Sequence, residues 1–329
     1  LIVLVAVVAA ASAALHPKIA NSDLVELWEV WTTKYNREYA NAVEEISRYE
    51  IWRENADKVM MHNLKADAKL VSFRMELNDL ADLTEEEYVA SRLGNRMSLQ
   101  VEEEYKTDFG EDVPATQNWV PKGYVTGVKN QGQCGSCWSF SATGALEGQH
   151  FKSTGDLISL SEQQQVDCNK RCYGCNGGLP SLAFRYWQNT SPYGANLESQ
   201  YKYTAEDGTC KTSEYEVVAK CNGYVAVGQS ESALMDASGT IGPISVAIDA
   251  SHYSFQMYSS GVYYEPNCSS TNLDHAVLVV GYNSDNGDDY WIVKNSWGTS
   301  WGQEGYIWMS RNRDNNCGIC TQATYPTVP

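Results

Sequence analysis

Two cysteines three residues apart, Cys134 and Cys137, lie in the stretch Gln131-Gly-Gln-Cys-Gly-Ser-Cys-Trp-Ser-Phe140. They stand between turn-forming residues and the apolar start of a predicted helix, where Trp138, Phe140, Ala142, Ala145, Leu146 and Phe151 recur at roughly helical spacing. A cysteine in the first turn of a helix faces unpaired N–H groups and the positive end of the dipole, and both favour thiolate. Cys137 is therefore a candidate nucleophile. On this stretch alone, a structural role for both cysteines, as half-cystines or zinc ligands, is an equal reading.

A thiolate needs a base, and the base needs a group that orients it. Three histidines follow residue 113. His150 lies on the predicted Cys137 helix and cannot fold back to meet it, and His252 sits in a polar loop. His275 opens the apolar strand Ala276-Val-Leu-Val-Val-Gly-Tyr282, where an imidazole has little packing reason to exist. By elimination it is the expected base. Asn295 closes the next strand, Tyr290-Trp-Ile-Val-Lys-Asn295, from which an amide oxygen can accept the imidazole N–H and fix its tautomer. Trp297 and Trp301 would shield that bond from water.

The 329 residues carry a net charge of −17, which argues against nucleic acid and anionic membranes as partners. Residues 1–13 are Leu, Ile, Val and Ala ending in Ala-Ser-Ala, the apolar core and cleavage site of an N-terminally incomplete signal peptide. All ten cysteines lie at or beyond position 134, and in the oxidising setting that a signal implies most should be paired. Before them come helices over about 22–65. Glu44, Arg48, Trp52, Asn55, Val59 and Asn63 share one face of the second, which is expected from near Ala40 to Asn63. An alternating strand from Phe73 ends in a helix cap at Thr84, with Glu87 three residues on. Residues 92–112 read as an accessible acidic linker. Helices dominate 137–190 and strands the chain from about 223, so an α+β unit of two lobes is expected.

The chain resembles papain-family cysteine protease precursors, closest to cathepsin L. The resemblance rests on Cys134-Gly-Ser-Cys-Trp138 with its distant His and Asn, and on Ser139–Glu147, Leu160–Gln163, Gly174–Gly178, Gly242–Asp249 and Asn295–Gly298. His275 lies 138 residues past Cys137, and Asn295 lies 158 past it. The family's interval is about 130–150 residues, and a loop insertion absorbs the difference. The resemblance implies a two-lobed papain-like fold, helical on the left and β-barrel-like on the right, with a cleft between. It implies a cysteine endopeptidase zymogen with an inhibitory propeptide over 14–112 and a mature domain over 113–329.

In that reading Cys137 attacks, His275 protonates the leaving amine and Asn295 orients the ring, while the Gln131 amide and the Cys137 N–H form the oxyanion hole. Substrate would meet Gly177, Gly178, Leu179, Pro180, Ala247, Leu273, Asp274, Ala276, Trp297 and Gln322, an S2 pocket expected to take apolar P2 residues. Gln322 is a polar departure at the floor of that pocket. The resemblance pairs Cys134–Cys175, Cys168–Cys210 and Cys268–Cys317, leaving Cys172, Cys221 and Cys320, among which a fourth bridge is plausible. The helical stripe, with Asn78 and Asp82 beyond it, matches the two propeptide motifs, although Glu76 stands where Gly is usual and Leu80 where Phe is usual.

Acid-triggered self-cleavage is expected between about 105 and 114, in a lysosome-like vesicle or after secretion. Expected partners are protein and peptide substrates, the chain's own propeptide and cystatin-type inhibitors, with a monomer and no metal or cofactor. A zinc protein built on the three C-x-x-C pairs is disfavoured by the 34 residues between the first two pairs. A catalytically dead homologue acting as a binding protein is opposed by the presence of all four catalytic residue types.

Overall fold

The computed structural model describes residues 21–94, 105–106 and 112–329. The expected signal segment and most of the expected linker lie outside them. Among the described residues no helix is long and apolar enough to cross a membrane.

The leading segment is built on helices α1 (Asn21–Lys34), α2 (Ala42–Asp67) and α3 (Glu85–Arg92), with strand β1 (Phe73–Met75) before α3. Asn41 caps α2 by accepting from the N–H groups of Val43 and Glu44, and Thr84 with Glu87 forms a complete capping box on α3. Trp28 of α1 lies 5.4 Å from Trp31 and 5.6 Å from Trp52 of α2, an aromatic cluster that locks the two helices together. Two expectations need correction. Helix α2 continues past Asn63 to Asp67, and the expected strand from Phe73 to Thr84 is a strand only as far as Met75.

The physical reason for the short strand lies in the stripe on α2, which binds the following segment through side chains instead of a ladder. The Asn63 amide donates to the Met75 carbonyl and accepts the Met75 N–H, at 2.9 and 3.0 Å. Asn55 donates to the carbonyls of Ala81 and Leu83. Arg48 forms a fork with Glu87 at 2.6 and 2.9 Å and also reaches the Asp82 carbonyl. The Asp82 carboxylate takes the Tyr39 hydroxyl, and the Glu44 carboxylate takes the Ala40 N–H. Trp52 and Val59 supply the apolar part of the same face. Asn78 turns outward from this unit and donates to the Gln256 carbonyl at 2.7 Å.

Beyond residue 112 the chain divides into two cores. One holds α4 (Cys137–Thr154), α5 (Glu162–Cys168) and α6 (Pro180–Asn189) around Trp138, Leu146, Phe184 and Trp187. The other belongs mainly to strands and includes Val246, Val279, Trp291 and Trp301, and it runs on without a break into Trp28 and Trp52 of the leading segment.

After β1 the strands are β2 (Tyr105–Lys106), β3 (Gln117–Asn118), β4 (Ala195–Asn196), β5 (Val217–Ala219), β6 (Gly223–Val227) and β7 (Ile244–Ile248). They continue as β8 (Tyr258–Tyr263), β9 (His275–Asp285), β10 (Asp288–Lys294), β11 (Tyr306–Ser310) and β12 (Thr324–Thr327). Strands β4 and β5 form a ladder of their own, and β3 pairs with β9. The remaining order is β1-β8-β11-β10-β9-β7-β12-β6-β2, so the leading segment supplies the strand at each end. Pairing is antiparallel apart from β11 with β8 and β2 with β6.

Helix α4 lies against β9. A Cβ at Gly144 would come within 2.8 Å of the end of the Leu278 side chain, so a larger residue there would have to displace Leu278. The contact joins the two lobes at the elements that begin with Cys137 and His275.

Candidate active site

Cys137 is the first residue of α4 and is fully buried. His275 is the first residue of β9, held in register by pairing with Ile248 of β7. Asn295 follows β10, its N–H bonded to the Gly305 carbonyl. The His275 Nε2 and Asn295 Oδ1 lie 2.8 Å apart, and Oδ1 also accepts the Ser296 N–H, which fixes the amide so that an oxygen faces the ring. The imidazole therefore carries its proton on Nε2. Its Nδ1 has no partner within hydrogen-bond distance among the described residues. Trp297 covers the ring at 4.8 Å and Trp301 backs Trp297 at 5.1 Å, so the hydrogen bond is dry.

Gln131 is also fully buried. Its Oε1 accepts from Ser296 Oγ at 2.6 Å and from Trp297 Nε1 at 3.2 Å, which leaves Nε2 as the donor facing the cleft. That donor is already in use. It reaches the Arg92 carbonyl and the Cys134 carbonyl, each at 2.8 Å. Arg92 in turn donates from its guanidinium to the Gly132 carbonyl. Two residues on, the Gly94 carbonyl accepts the Gly178 N–H at 2.9 Å. A Cβ on Gly177 would lie 2.3 Å from that carbonyl, and one on Gly94 would lie 1.8 Å from the Gly135 carbonyl, so these segments of the chain meet backbone to backbone. From α3, Tyr88 presses edge-on against Trp297 at 5.6 Å and donates to the Ala250 carbonyl at 2.6 Å.

This cover changes the electrostatics of the pair. Burial pushes the Cys137 thiol up to about 11, against the pull of the Ala276, Gly94 and Trp138 N–H groups. Burial likewise pushes His275 down to about 4, opposed by its bond to Asn295. The sequence points to a thiolate at the helix end, but the covered site holds a neutral thiol and a neutral imidazole, with no hydrogen bond between them. Desolvation outweighs the helix dipole here because no water reaches either group.

The expected pocket residues sit as follows. Leu179 and Pro180 open α6, Ala247 of β7 pairs with Ala276 of β9, and all four are buried. Leu273 and Asp274 lead into β9. Asp274 accepts the Ala250 N–H, and burial pushes its carboxyl up to about 6 with help from Asp249. The Gln322 carbonyl accepts the Ala247 N–H.

Cys134–Cys175, Cys168–Cys210 and Cys268–Cys317 are disulfide-bonded. Cys172, Cys221 and Cys320 are free and buried, so the plausible fourth bridge is absent among the described residues. Cys320 belongs to the strand core while the other two lie in the helical core. Among the described residues one cluster of metal-ligand types, Asp249, His252 and Cys268, lies within 4.8 Å, but the Cys268 sulfur is in a disulfide and offers no thiolate. Sequence reasoning did not single out Tyr88, Arg92, Gly94, Ser296 or Tyr203, which touch the site across long sequence distances.

Residues 113–327 match the papain family cysteine protease model, and residues 28–88 match the cathepsin propeptide inhibitor domain. The chain belongs to the papain family of cysteine proteases. It is 49% identical to a cathepsin L-like peptidase of Aedes aegypti, over 100% of this chain and 99% of that one. It is 48% identical to digestive cysteine proteinase 1 of Homarus americanus, over 92% of this chain and 94% of that one. The structure of digestive procathepsin L2 proteinase from Tenebrio molitor larval midgut superposes with a TM-score of 0.88 at 41% identity, covering 93% of this chain and all of that one. The protein is thus a cathepsin L-like cysteine protease zymogen whose propeptide inhibitor domain acts within the same chain, and its substrates are peptides and proteins.

Proposed function

We propose that Cys137 attacks the peptide carbonyl as a thiolate, that His275 takes its proton and returns it to the leaving amine, and that Asn295 orients the ring. Gln131 Nε2 and the Cys137 N–H stabilise the oxyanion. The observation that carries this reading is the fixed His275–Asn295 pair beside a helix-end cysteine whose sulfur faces the Ala276 N–H. The Arg92 carbonyl on Gln131 stands where a developing oxyanion would find its donor.

In this reading the propeptide spans 14–112 and is cleaved between about 105 and 114. It inhibits both by filling the cleft and by keeping the catalytic pair neutral. Leu179, Ala247 and Ala276 line a pocket for apolar P2 residues, with Gly177 and Gly178 pairing to the substrate backbone. Gln322 and Asp274 set its polar margin. The enzyme works as an endopeptidase monomer in an acidic vesicle of the secretory pathway or after secretion, and cystatin-type inhibitors fit its open cleft.

The deciding experiment is active-site titration of the processed enzyme with an epoxide thiol inhibitor. Stoichiometric labelling of Cys137 with loss of peptide hydrolysis is expected. Full activity of Cys137→Ser would sink the reading.

A further inference from the structure

The two donors assigned to the oxyanion lie at opposite ends of one loop: the Gln131 side chain at its start and the Cys137 N–H just after its end at Ser136. We propose that Tyr203 is a positioning residue that fixes the separation of those two donors, an inference that rests on the catalytic reading above.

The Tyr203 hydroxyl donates to the Gln131 main-chain carbonyl at 2.8 Å and lies 2.6 Å from Ser136 Oγ. Its single proton is committed to the carbonyl, so Ser136 must be the donor in the second contact. The result is a relay of two hydrogen bonds from Ser136 through Tyr203 to Gln131, closing the loop across its own ends. Burial raises the phenol above its ordinary range, so it remains a donor throughout neutral and acidic pH.

The strut is itself anchored. Helix α5 binds the segment on either side of it: Gln163 accepts the Thr204 N–H and donates to the Glu206 carbonyl, and Asp167 accepts from Gly208 N–H and the Tyr201 hydroxyl. The Cys168–Cys210 disulfide closes this segment onto α5, and the Tyr203 ring stands edge-on to Phe140 of α4 at 4.9 Å. Other restraints hold each part of the loop to a different neighbour. Gln131 is tied to Ser296 and Trp297 through its N–H and its Oε1, and Cys134 and Gly135 to Cys175 through the disulfide and the Gly135 N–H. Among the described residues, Tyr203 alone bonds both Gln131 and Ser136. Arg92 also binds the loop but leaves with the propeptide, whereas Tyr203 stays.

The test compares processed parent enzyme with Tyr203→Phe, which keeps the ring and its packing. On a peptide amide substrate kcat is expected to fall roughly ten-fold with KM within two-fold, less than the about 10²–10³ for removing a donor outright. Affinity for a peptide aldehyde, whose adduct oxygen sits in the same hole, should fall by the same factor. The pH profile of Cys137 alkylation by iodoacetamide should not move, because that reaction uses the thiolate and no oxyanion. Ser136→Ala should show the same pattern with a smaller loss. In a Gln131→Ala background Tyr203→Phe should cost less than two-fold, since residues acting as a unit are not additive.

A kcat within two-fold of parent overturns the proposal. So does a parallel loss of alkylation rate, or a full ten-fold loss in the Gln131→Ala background. If Gln131→Ala itself leaves kcat intact, the oxyanion assignment falls as well, which separates the two failures.

Discussion

Gln131 Nε2 sits 2.8 Å from the carbonyl oxygen of Arg92, so the donor assigned to catalysis is engaged by the chain's own leading segment. Gln131→Ala is therefore expected to act twice. In the processed enzyme kcat should fall by about 10²–10³ with KM little changed. In the precursor the same change removes one buried hydrogen bond to the propeptide, about 0.5–1.5 kcal/mol, and should loosen inhibition by roughly two- to thirteen-fold. Steady-state kinetics with and without the propeptide read both effects, and a larger loss in KM than in kcat would contradict the assignment.

The neutral state of the pair predicts a reactivity contrast. With its thiol pushed up to about 11, Cys137 in the precursor is ionised to about one part in 10⁴ at pH 7. Iodoacetamide should alkylate the precursor slowly, and more slowly still because Gly94 covers the sulfur. Processing should raise the rate by at least 10³. Equal rates measured by mass spectrometry before and after processing would refute the electrostatic part of the inhibition.

Acid should open the precursor, but only at low pH. The Arg48 fork holds Glu87 below its ordinary value, so this contact stabilises the fold above about pH 4.3 and is lost as pH falls through the lowered folded value. Asp274 has the opposite sign. Its carboxyl is raised to about 6 by burial, so ionisation costs stability as pH rises toward 6, and protonation below that relieves the cost. Opening followed by tryptophan fluorescence in a Cys137→Ser precursor should thus have its midpoint below about pH 5, and Glu87→Gln should move it upward. A midpoint near 6, or none of that shift, would remove Glu87 from the mechanism.

Trp52 tests the frame of the propeptide. It is 1% exposed and packs with Trp28 and Trp31, so Trp52→Ala should cost about 3–5 kcal/mol of propeptide stability. The variant precursor should process at a higher pH than the parent, while the processed enzyme, which lacks this residue, should show unchanged kinetics.

The site was legible wherever chemistry restricts residue type. Few histidines follow residue 113, and an imidazole at the head of an apolar strand stood out by elimination. The α2 stripe was legible as a face because helical periodicity survives in any context. Its polar members were harder to read, since Asn55 and Asn63 pair with backbone that single-sequence patterning assigns to a strand. The reversed protonation of Cys137 was illegible for a different reason. A helix end favours thiolate in water, and nothing local says that Gly94 and Arg92, more than forty residues earlier for Cys137, will exclude the water. Tyr203 was hidden likewise, because its partners, Gln131 and Ser136, lie 72 and 67 residues before it.

Strands β1 and β2 stand at the two ends of the sheet order, one on β8 and the other on β6. Departure of the leading segment thus does more than clear a cleft. It uncovers two rows of unpaired peptide groups on the finished enzyme, the kind of border along which folded chains add strands to one another. Maturation trades a sealed, silent molecule for a working one with two adhesive margins. The processed enzyme, a monomer when dilute, should therefore self-associate only as its concentration rises, and less when an extended peptide is supplied to occupy them.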